Sequence, residues 1–146
     1  MRTAPHLFCV LVALGLAGTA HADPLAELSD SVTDLFSRAE NARAHARHCA
    51  GRPDADRVAL RDALAGWSHR NDAAGYDALM AALKDAAPGL AKQTEAAYAQ
   101  IAAAVAQQIT TKPQLCTGLP DRLKSEEFAL RPTLRETRRI ARDLGV

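Results

Sequence analysis

Two cysteines, Cys49 and Cys116, are the residues whose chemistry the sequence indicates most directly. The chain has three cysteines, and the third, Cys9, lies in an apolar run near the amino terminus that we expect to be removed. An even number of cysteines in an exported chain indicates a disulfide bond. We therefore predict a Cys49–Cys116 disulfide, with two free thiols or an intermolecular bridge as the alternatives.

Residues 1–22 have the pattern of a secretory signal peptide. Arg2 supplies the positive start, an apolar core runs from Leu7 to Leu16, and Ala20-His21-Ala22 forms a small-residue cleavage signature. The apolar run is shorter than the ~20 residues that a membrane-spanning helix needs. We predict a periplasmic or secreted protein in which residues 23–146 form a single domain, with no membrane insertion after signal cleavage.

His45, His48 and Cys49 form the tightest group of potential metal ligands. On a helix, His45 neighbours both His48 and Cys49, so two of the three side chains could bind one ion. Zinc needs four ligands, or three and a water, and an oxidised Cys49 cannot ligate. Two interpretations stay open: a periplasmic metal-binding protein that uses His45 and His48, or a solvated histidine pair near a helix end that favours positive charge.

The stretch Trp67-Ser68-His69-Arg70-Asn71 is the most distinctive short sequence in the chain. Trp67 falls on the apolar stripe of a predicted helix, which favours a core tryptophan followed by a polar helix end. The alternative is a recognition patch of Trp67, His69 and Arg70. The order Cys, W-x-x-R-N, Cys resembles that of small exported bacterial helical proteins of uncharacterised function, over roughly the middle half of the chain. The resemblance implies no activity.

The last predicted helix is rich in arginine. Arg135, Arg138 and Arg142 fall on one face of it, so an anionic partner could dock there. The alternative is structural, because arginines near a helix carboxyl terminus are favoured by the helix dipole and their long side chains cover apolar surface.

Composition and missing motifs argue against several classes of function. Removing Arg2 with the leader leaves 17 Lys plus Arg (18 − 1) against 17 Asp plus Glu, which lacks the basic excess of a nucleic-acid binder. The chain has no C-x-x-C-H, no glycine-rich phosphate loop and no nucleophile elbow. We predict no enzyme, no cofactor and no nucleic-acid partner. The leading hypothesis is a protein-binding or accessory module that uses the surface of Trp67, His69, Arg70, Arg135, Arg138 and Arg142.

The elements that position these residues are predicted to be helices. Apolar residues recur every three or four positions in the first one: Leu25, Leu28, Val32, Leu35, Ala39, Ala42, Ala46 and Cys49. Asp23 can cap this helix and Pro24 suits its first position. A second helix is expected from Asp54 or Asp56 to about Arg70.

A third helix is expected from about Asp72 to Ile109, and we favour one helix kinked at Pro88 because the apolar spacing continues across the proline. A fourth is expected from about Pro120 to Leu144, with a break at Pro132 and a T-x-x-E capping box at Thr133 and Glu136.

These elements predict an all-α fold, an up-down bundle of about four helices with one disulfide. In such a bundle the first and third helices end on the same side, which brings Cys49 close to Cys116.

Overall fold

The computed structural model describes residues 23–146, so the predicted signal peptide at residues 1–22 lies outside the described residues. The described chain is all-α and contains no strand. No helix in this range is long and apolar enough to cross a membrane. The helices are α1 (Pro24–Ala50), α2 (Arg57–Asn71), α3 (Ala73–Ala86), α4 (Pro88–Thr111), α5 (Gln114–Thr117), α6 (Leu119–Arg122) and α7 (Arg131–Asp143), with a 3₁₀ turn at Glu126–Phe128 between α6 and α7.

Helix α1 is the element against which α2, α4 and α7 pack. Its start is fixed as predicted, because the Asp23 carboxylate accepts a hydrogen bond from the Leu25 N–H at 3.0 Å and Pro24 takes the first position. Most of the predicted stripe is buried, whereas Leu25 in the first turn is exposed. The buried members of the stripe are Val32, Leu35, Ala39, Ala42, Ala46 and Cys49.

Helices α2 and α7 both run antiparallel to α1. The Arg57 Nε donates to the Ala50 carbonyl oxygen at 3.1 Å, so α2 begins beside the end of α1. Helix α7 runs opposite to α1, because Thr133 contacts Asp34 (3.2 Å) whereas the later Thr137 contacts the earlier Ser31 (2.6 Å).

Helix α4 runs parallel to α1, because Thr94 lines one cleft with Phe36 and Cys116, just after α4, is bonded to Cys49 at the end of α1. Helix α3 runs antiparallel to α1, as α2 does, because Asp77 pairs with Arg43 whereas Lys84 lines the cleft beside Phe36. The predicted all-α up-down bundle is confirmed, but residues 23–146 contain five helices of 13 or more residues instead of about four.

The preference for one kinked helix through Pro88 was wrong. Helix α3 ends at Ala86 and α4 begins at Pro88, and Ala87 between them has a non-helical backbone (φ −136°, ψ 86°). Proline disfavours the helical region for the residue before it, and at the first position of α4 its missing N–H breaks no bond. The apolar spacing continues across the break because both helices face the same core.

The helix expected from about Pro120 to Leu144 forms only in its second half, because α6 ends at Arg122 and only a 3₁₀ turn, Glu126–Phe128, precedes α7. The predicted capping box does not form either. Helix α7 starts at Arg131, and Leu130 before it provides no side-chain cap. The Thr133 hydroxyl donates to Asp34 instead, and Glu136 pairs with Arg139.

The predicted disulfide between Cys49 and Cys116 is confirmed. The two Cα atoms lie 5.3 Å apart, Cys49 is fully buried and Cys116 is half-buried. The bond joins the end of α1 to α5, the first turn of the connection between α4 and α7. It therefore closes a large part of the chain into one loop.

Replacing both cysteines with alanine should lower the free energy of unfolding by about 4 kcal/mol, because the bond closes a loop of 67 residues and removes chain entropy from the unfolded state. Denaturant unfolding of the oxidised protein, the reduced protein and the Cys49→Ala/Cys116→Ala variant measures the effect. Reductant should destabilise the wild type to about the level of the variant and leave the variant unchanged. Equal midpoints for oxidised and reduced wild type would contradict this expectation.

Candidate functional site

The W-x-x-R-N motif lies at the end of α2 and bonds to the backbone of the segment that leads into α7. The Trp67 indole Nε1 donates to the Phe128 carbonyl oxygen at 2.8 Å. The Asn71 Oδ1 accepts from the Leu130 N–H at 2.8 Å, and its Nδ2 donates to the Trp67 carbonyl oxygen at 3.1 Å. These bonds are buried, so Trp67 and Asn71 fix the position at which the chain enters α7.

Trp67 is fully buried and cannot form part of an interaction surface. Its predicted role in a recognition patch was wrong, and its interpretation as a core residue is confirmed. Arg70 is exposed, and its Nη2 lies 3.5 Å from the Leu123 carbonyl oxygen just after α6. The tryptophan, arginine and asparagine of the motif therefore all contact the backbone of the segment between α6 and α7.

A cleft of about 670 Å³ lies between the α2–α3 junction and α7, and we call it the basic cleft. It brings together three of the predicted surface residues, His69, Arg135 and Arg138. Arg70 and Arg142 do not line it. The complete lining is His69, Asp72, Arg131, Leu134, Arg135 and Arg138.

Asp72 sits at the corner of the basic cleft and holds Arg138. Among residues 23–146, it is the only non-glycine residue with a left-handed backbone (φ 54°). With this backbone, Asp72 is both the C-cap of α2 and the N-cap of α3. Its Oδ1 accepts from the Gly75 N–H at 3.2 Å and its Oδ2 accepts from Arg138 Nη1 at 3.1 Å. A Cβ atom at Gly75 would overlap both the Arg138 guanidinium and the Asp72 carboxylate, so a larger residue there would displace the ends of these two side chains.

The basic cleft carries an excess of positive charge. Its lining has three guanidinium groups and one carboxylate, a formal charge of +2 (3 − 1) with His69 neutral. The Asp72 carboxylate is engaged by Arg138, whereas Arg131 Nη2 lies 3.5 Å from the His69 carbonyl oxygen. Among residues 23–146, no ion pair joins Arg131 or Arg135 to a carboxylate. Two guanidinium groups therefore face the cleft without an acidic partner.

Arg139, on the neighbouring side of α7, shows the opposite arrangement. It pairs with Glu136 at 2.5 Å and Asp143 at 3.0 Å, and lies 3.8 Å from Glu27. The hydrogen bond between Arg139 and Glu136 raises the pKa of the arginine and lowers that of the carboxyl group. The positive charge of this side of α7 is thus neutralised within the molecule.

His45, one of the two predicted metal ligands, is a core residue. Its ring lies 5.8 Å from that of Phe128, and its Nδ1 lies 2.9 Å from the Asn41 carbonyl oxygen, to which it donates. Its Nε2 is buried without a hydrogen-bond partner among residues 23–146. Burial lowers the pKa of His45, and the charge of Arg122 acts in the same direction.

The surroundings of this histidine pair do not resemble a metal site. Cys49 is oxidised, and His48 is half-buried on the next turn of α1. Within residues 23–146, no group of three or more His, Cys, Asp or Glu side chains is placed to hold one ion. The described geometry therefore favours packing over metal binding for His45.

A second, smaller cleft of about 280 Å³ lies between α1, α3 and α4, and the sequence did not predict it. Its buried Glu40 already accepts hydrogen bonds from the Tyr76 hydroxyl and from Arg43, each at 3.2 Å. Burial raises the pKa of Tyr76, which keeps this hydroxyl a donor. The cleft mixes acidic, basic and aromatic side chains: Phe36, Glu40, Lys84, Thr94, Glu95 and Tyr98. The basic cleft has the clearer chemical preference.

No protein-family model matches the chain, and neither does any of the curated proteins or solved structures with which it was compared.

Replacing Asn71 with alanine should lower the free energy of unfolding by about 1–3 kcal/mol, because the buried Leu130 N–H loses its acceptor. Denaturant unfolding measures the loss. Asn41→Ala is the matched control, since Asn41 bonds locally to Ser37 one turn earlier in α1. An equal loss in both variants would show that the Asn71 bond to Leu130 contributes no more to stability than the local bond of Asn41.

The buried neutral ring of His45 should make the protein less stable in mild acid. Because its folded-state pKa lies below the ordinary value of 6.5, the unfolded chain binds more protons once the pH falls below that value. The free energy of unfolding should therefore fall from pH 6.5 downwards, by at most about 1.4 kcal/mol per pH unit, until the pH reaches the folded-state pKa.

Denaturant unfolding at several pH values between about 7 and 5.5 measures this slope while most carboxyl groups stay ionised. A His45→Leu variant should show a shallower slope, whatever its absolute stability. Identical slopes for the variant and the wild type would contradict the assignment.

Proposed function

We propose that this protein is an exported helical-bundle protein that binds an acidic segment of a partner protein in the basic cleft. The observation that carries the proposal is the pair Arg131 and Arg135, which face the cleft without a carboxylate partner. Elsewhere on α7, Arg139 is fully paired. The basic cleft is therefore a concave surface in which two guanidinium groups without an ion pair among residues 23–146 lie side by side.

The chemistry of the lining supports carboxylate groups as the ligand. A guanidinium presents a planar fork of N–H donors that matches the two oxygens of a carboxylate. Arg138 is already engaged by the Asp72 carboxylate, so Arg131 and Arg135 are the guanidinium groups that remain for the carboxylates of a partner.

Export to the periplasm or the cell exterior is part of the proposal. The Cys49–Cys116 bond supports an oxidising compartment, because such bonds persist there and are rare in the cytosol. The pattern of residues 1–22 points in the same direction. The partner is then a protein, or a segment of one, that is reachable in that compartment.

An Arg131→Gln/Arg135→Gln variant should bind a fluorescent glutamate-rich peptide about four- to twenty-five-fold more weakly than the wild type. The estimate allows about two- to five-fold for each exposed ion pair. Fluorescence anisotropy at low ionic strength measures the affinity, and added salt should weaken binding by the wild type more than by the variant.

Two further variants sharpen this test. Arg61→Gln/Lys92→Gln removes the same amount of charge from exposed positions outside the cleft and should bind nearly as well as wild type. Asp72→Asn removes the carboxylate that binds Arg138 but keeps an oxygen that can accept from the Gly75 N–H. This variant should therefore bind the glutamate-rich peptide more tightly than the wild type. Equal losses in the two double variants would rule out the cleft as the binding site.

A further inference from the structure

We infer that the acidic segment is an α-helix that presents carboxylates along one face at positions i, i+4, i+7 and i+11. This inference rests on the proposed function and specifies the kind of partner that the basic cleft receives. It also adds Arg142, which lies outside the cleft lining, to the binding surface.

Four arginines of α7 follow one another at steps of four, three and four residues: Arg131, Arg135, Arg138 and Arg142. At 100° per residue they fall within an arc of about 60°, and they extend over about 16 Å of helix. Arg131, Arg135 and Arg142 are exposed and Arg138 is half-buried. We call these four residues the arginine stripe.

No acidic residue of α7 lies within the arc of the arginine stripe. Glu136 and Asp143 lie on the neighbouring side of the helix and are engaged by Arg139. Among residues 23–146, the one carboxylate that forms an ion pair with the stripe is Asp72, which binds Arg138 from the α2–α3 junction. The stripe therefore presents a line of positive charge in which the third position is partly neutralised.

A helical partner matches this line better than an extended one. Side chains at alternating steps of three and four residues stay opposite each other over several turns when two helices pack at a shallow angle. An extended peptide that binds by adding a strand needs the edge of a sheet, and residues 23–146 contain no strand. A helix satisfies its own backbone and needs only side-chain contacts.

The stripe also predicts an unequal contribution of its members. A partner carboxylate opposite Arg138 has to compete with Asp72, so the contact in the third position should be the weakest. Arg142 lies one helical turn beyond Arg138 and has no ion pair among residues 23–146. A partner long enough to reach it gains a further contact.

The test uses three peptides and the oxidised protein. The first is an alanine-rich helical peptide with glutamates at i, i+4, i+7 and i+11; the second has the same composition with its glutamates spread around the helix. The third is the first peptide shortened so that it lacks the i+11 glutamate. Circular dichroism of the free peptides checks that the first two have equal helicity, and anisotropy measures binding.

We expect the first peptide to bind about four-fold or more tightly than the second, since two of four contacts are lost at about two-fold each or more. Arg142→Gln should weaken binding of the first peptide about two- to five-fold, and the third peptide, with one glutamate fewer, should bind the wild type about two- to five-fold more weakly than the first. Equal affinities for the first two peptides would overturn the helix inference and leave the proposed function standing. Failure of every acidic peptide to bind would remove the proposed function as well.

Discussion

The connection between α4 and α7 must be held in place by other parts of the chain, because it forms only short helical turns that cannot bury a full face of their own. The disulfide fixes its start at Cys116. Near its end, Arg38 Nη1 donates to the Glu126 carbonyl oxygen at 2.9 Å, and Trp67 and Asn71 bond to the backbone at the last residues before α7. The direction of α7, and with it the arginine stripe, depends on these attachments.

The residue types of the W-x-x-R-N motif follow from this task. Tryptophan combines a large apolar surface with one N–H donor, so Trp67 can fill the core and still hold the Phe128 carbonyl. Asparagine has both a donor and an acceptor, and Asn71 uses the donor on its own helix and the acceptor on Leu130. The residues of the order Cys, W-x-x-R-N, Cys thus hold the connection between α4 and α7 against the rest of the bundle. Their role in this chain is structural, and it specifies no activity.

The sequence predicted best those features that depend on local residue spacing or on the compartment. The apolar stripe of α1, the cap at Asp23 and the disulfide each depend on local spacing or on compartment, and each is present in the structure. Periodicity failed at Pro88, because two helices that face one core keep the same spacing as one kinked helix. The capping box at Thr133 failed because a tertiary acceptor, Asp34, lies within reach of the hydroxyl.

The basic cleft could be predicted only in part. Arg135 and Arg138 share a helix face by spacing alone, and Arg131 could have been added on the same ground, since it lies four residues before Arg135. The meeting of this face with His69 and Asp72 could not be read from spacing, because it depends on the left-handed backbone of Asp72 and on the anchoring of α7 to α2. The predicted place of Trp67 in the interaction surface was wrong, because its side chain is buried in the core.

On the proposed function, anionic side chains bind between α7 and the α2–α3 junction. The most direct measurement follows the arginine Nε–Hε resonances by nuclear magnetic resonance while a glutamate-rich peptide is added to the oxidised protein. We expect the resonances of Arg131 and Arg135 to shift together and to saturate at one peptide concentration, while those of Arg61 and Arg139 stay in place. Shifts confined to arginines outside the basic cleft, or no saturable shift at all, would contradict binding in the cleft.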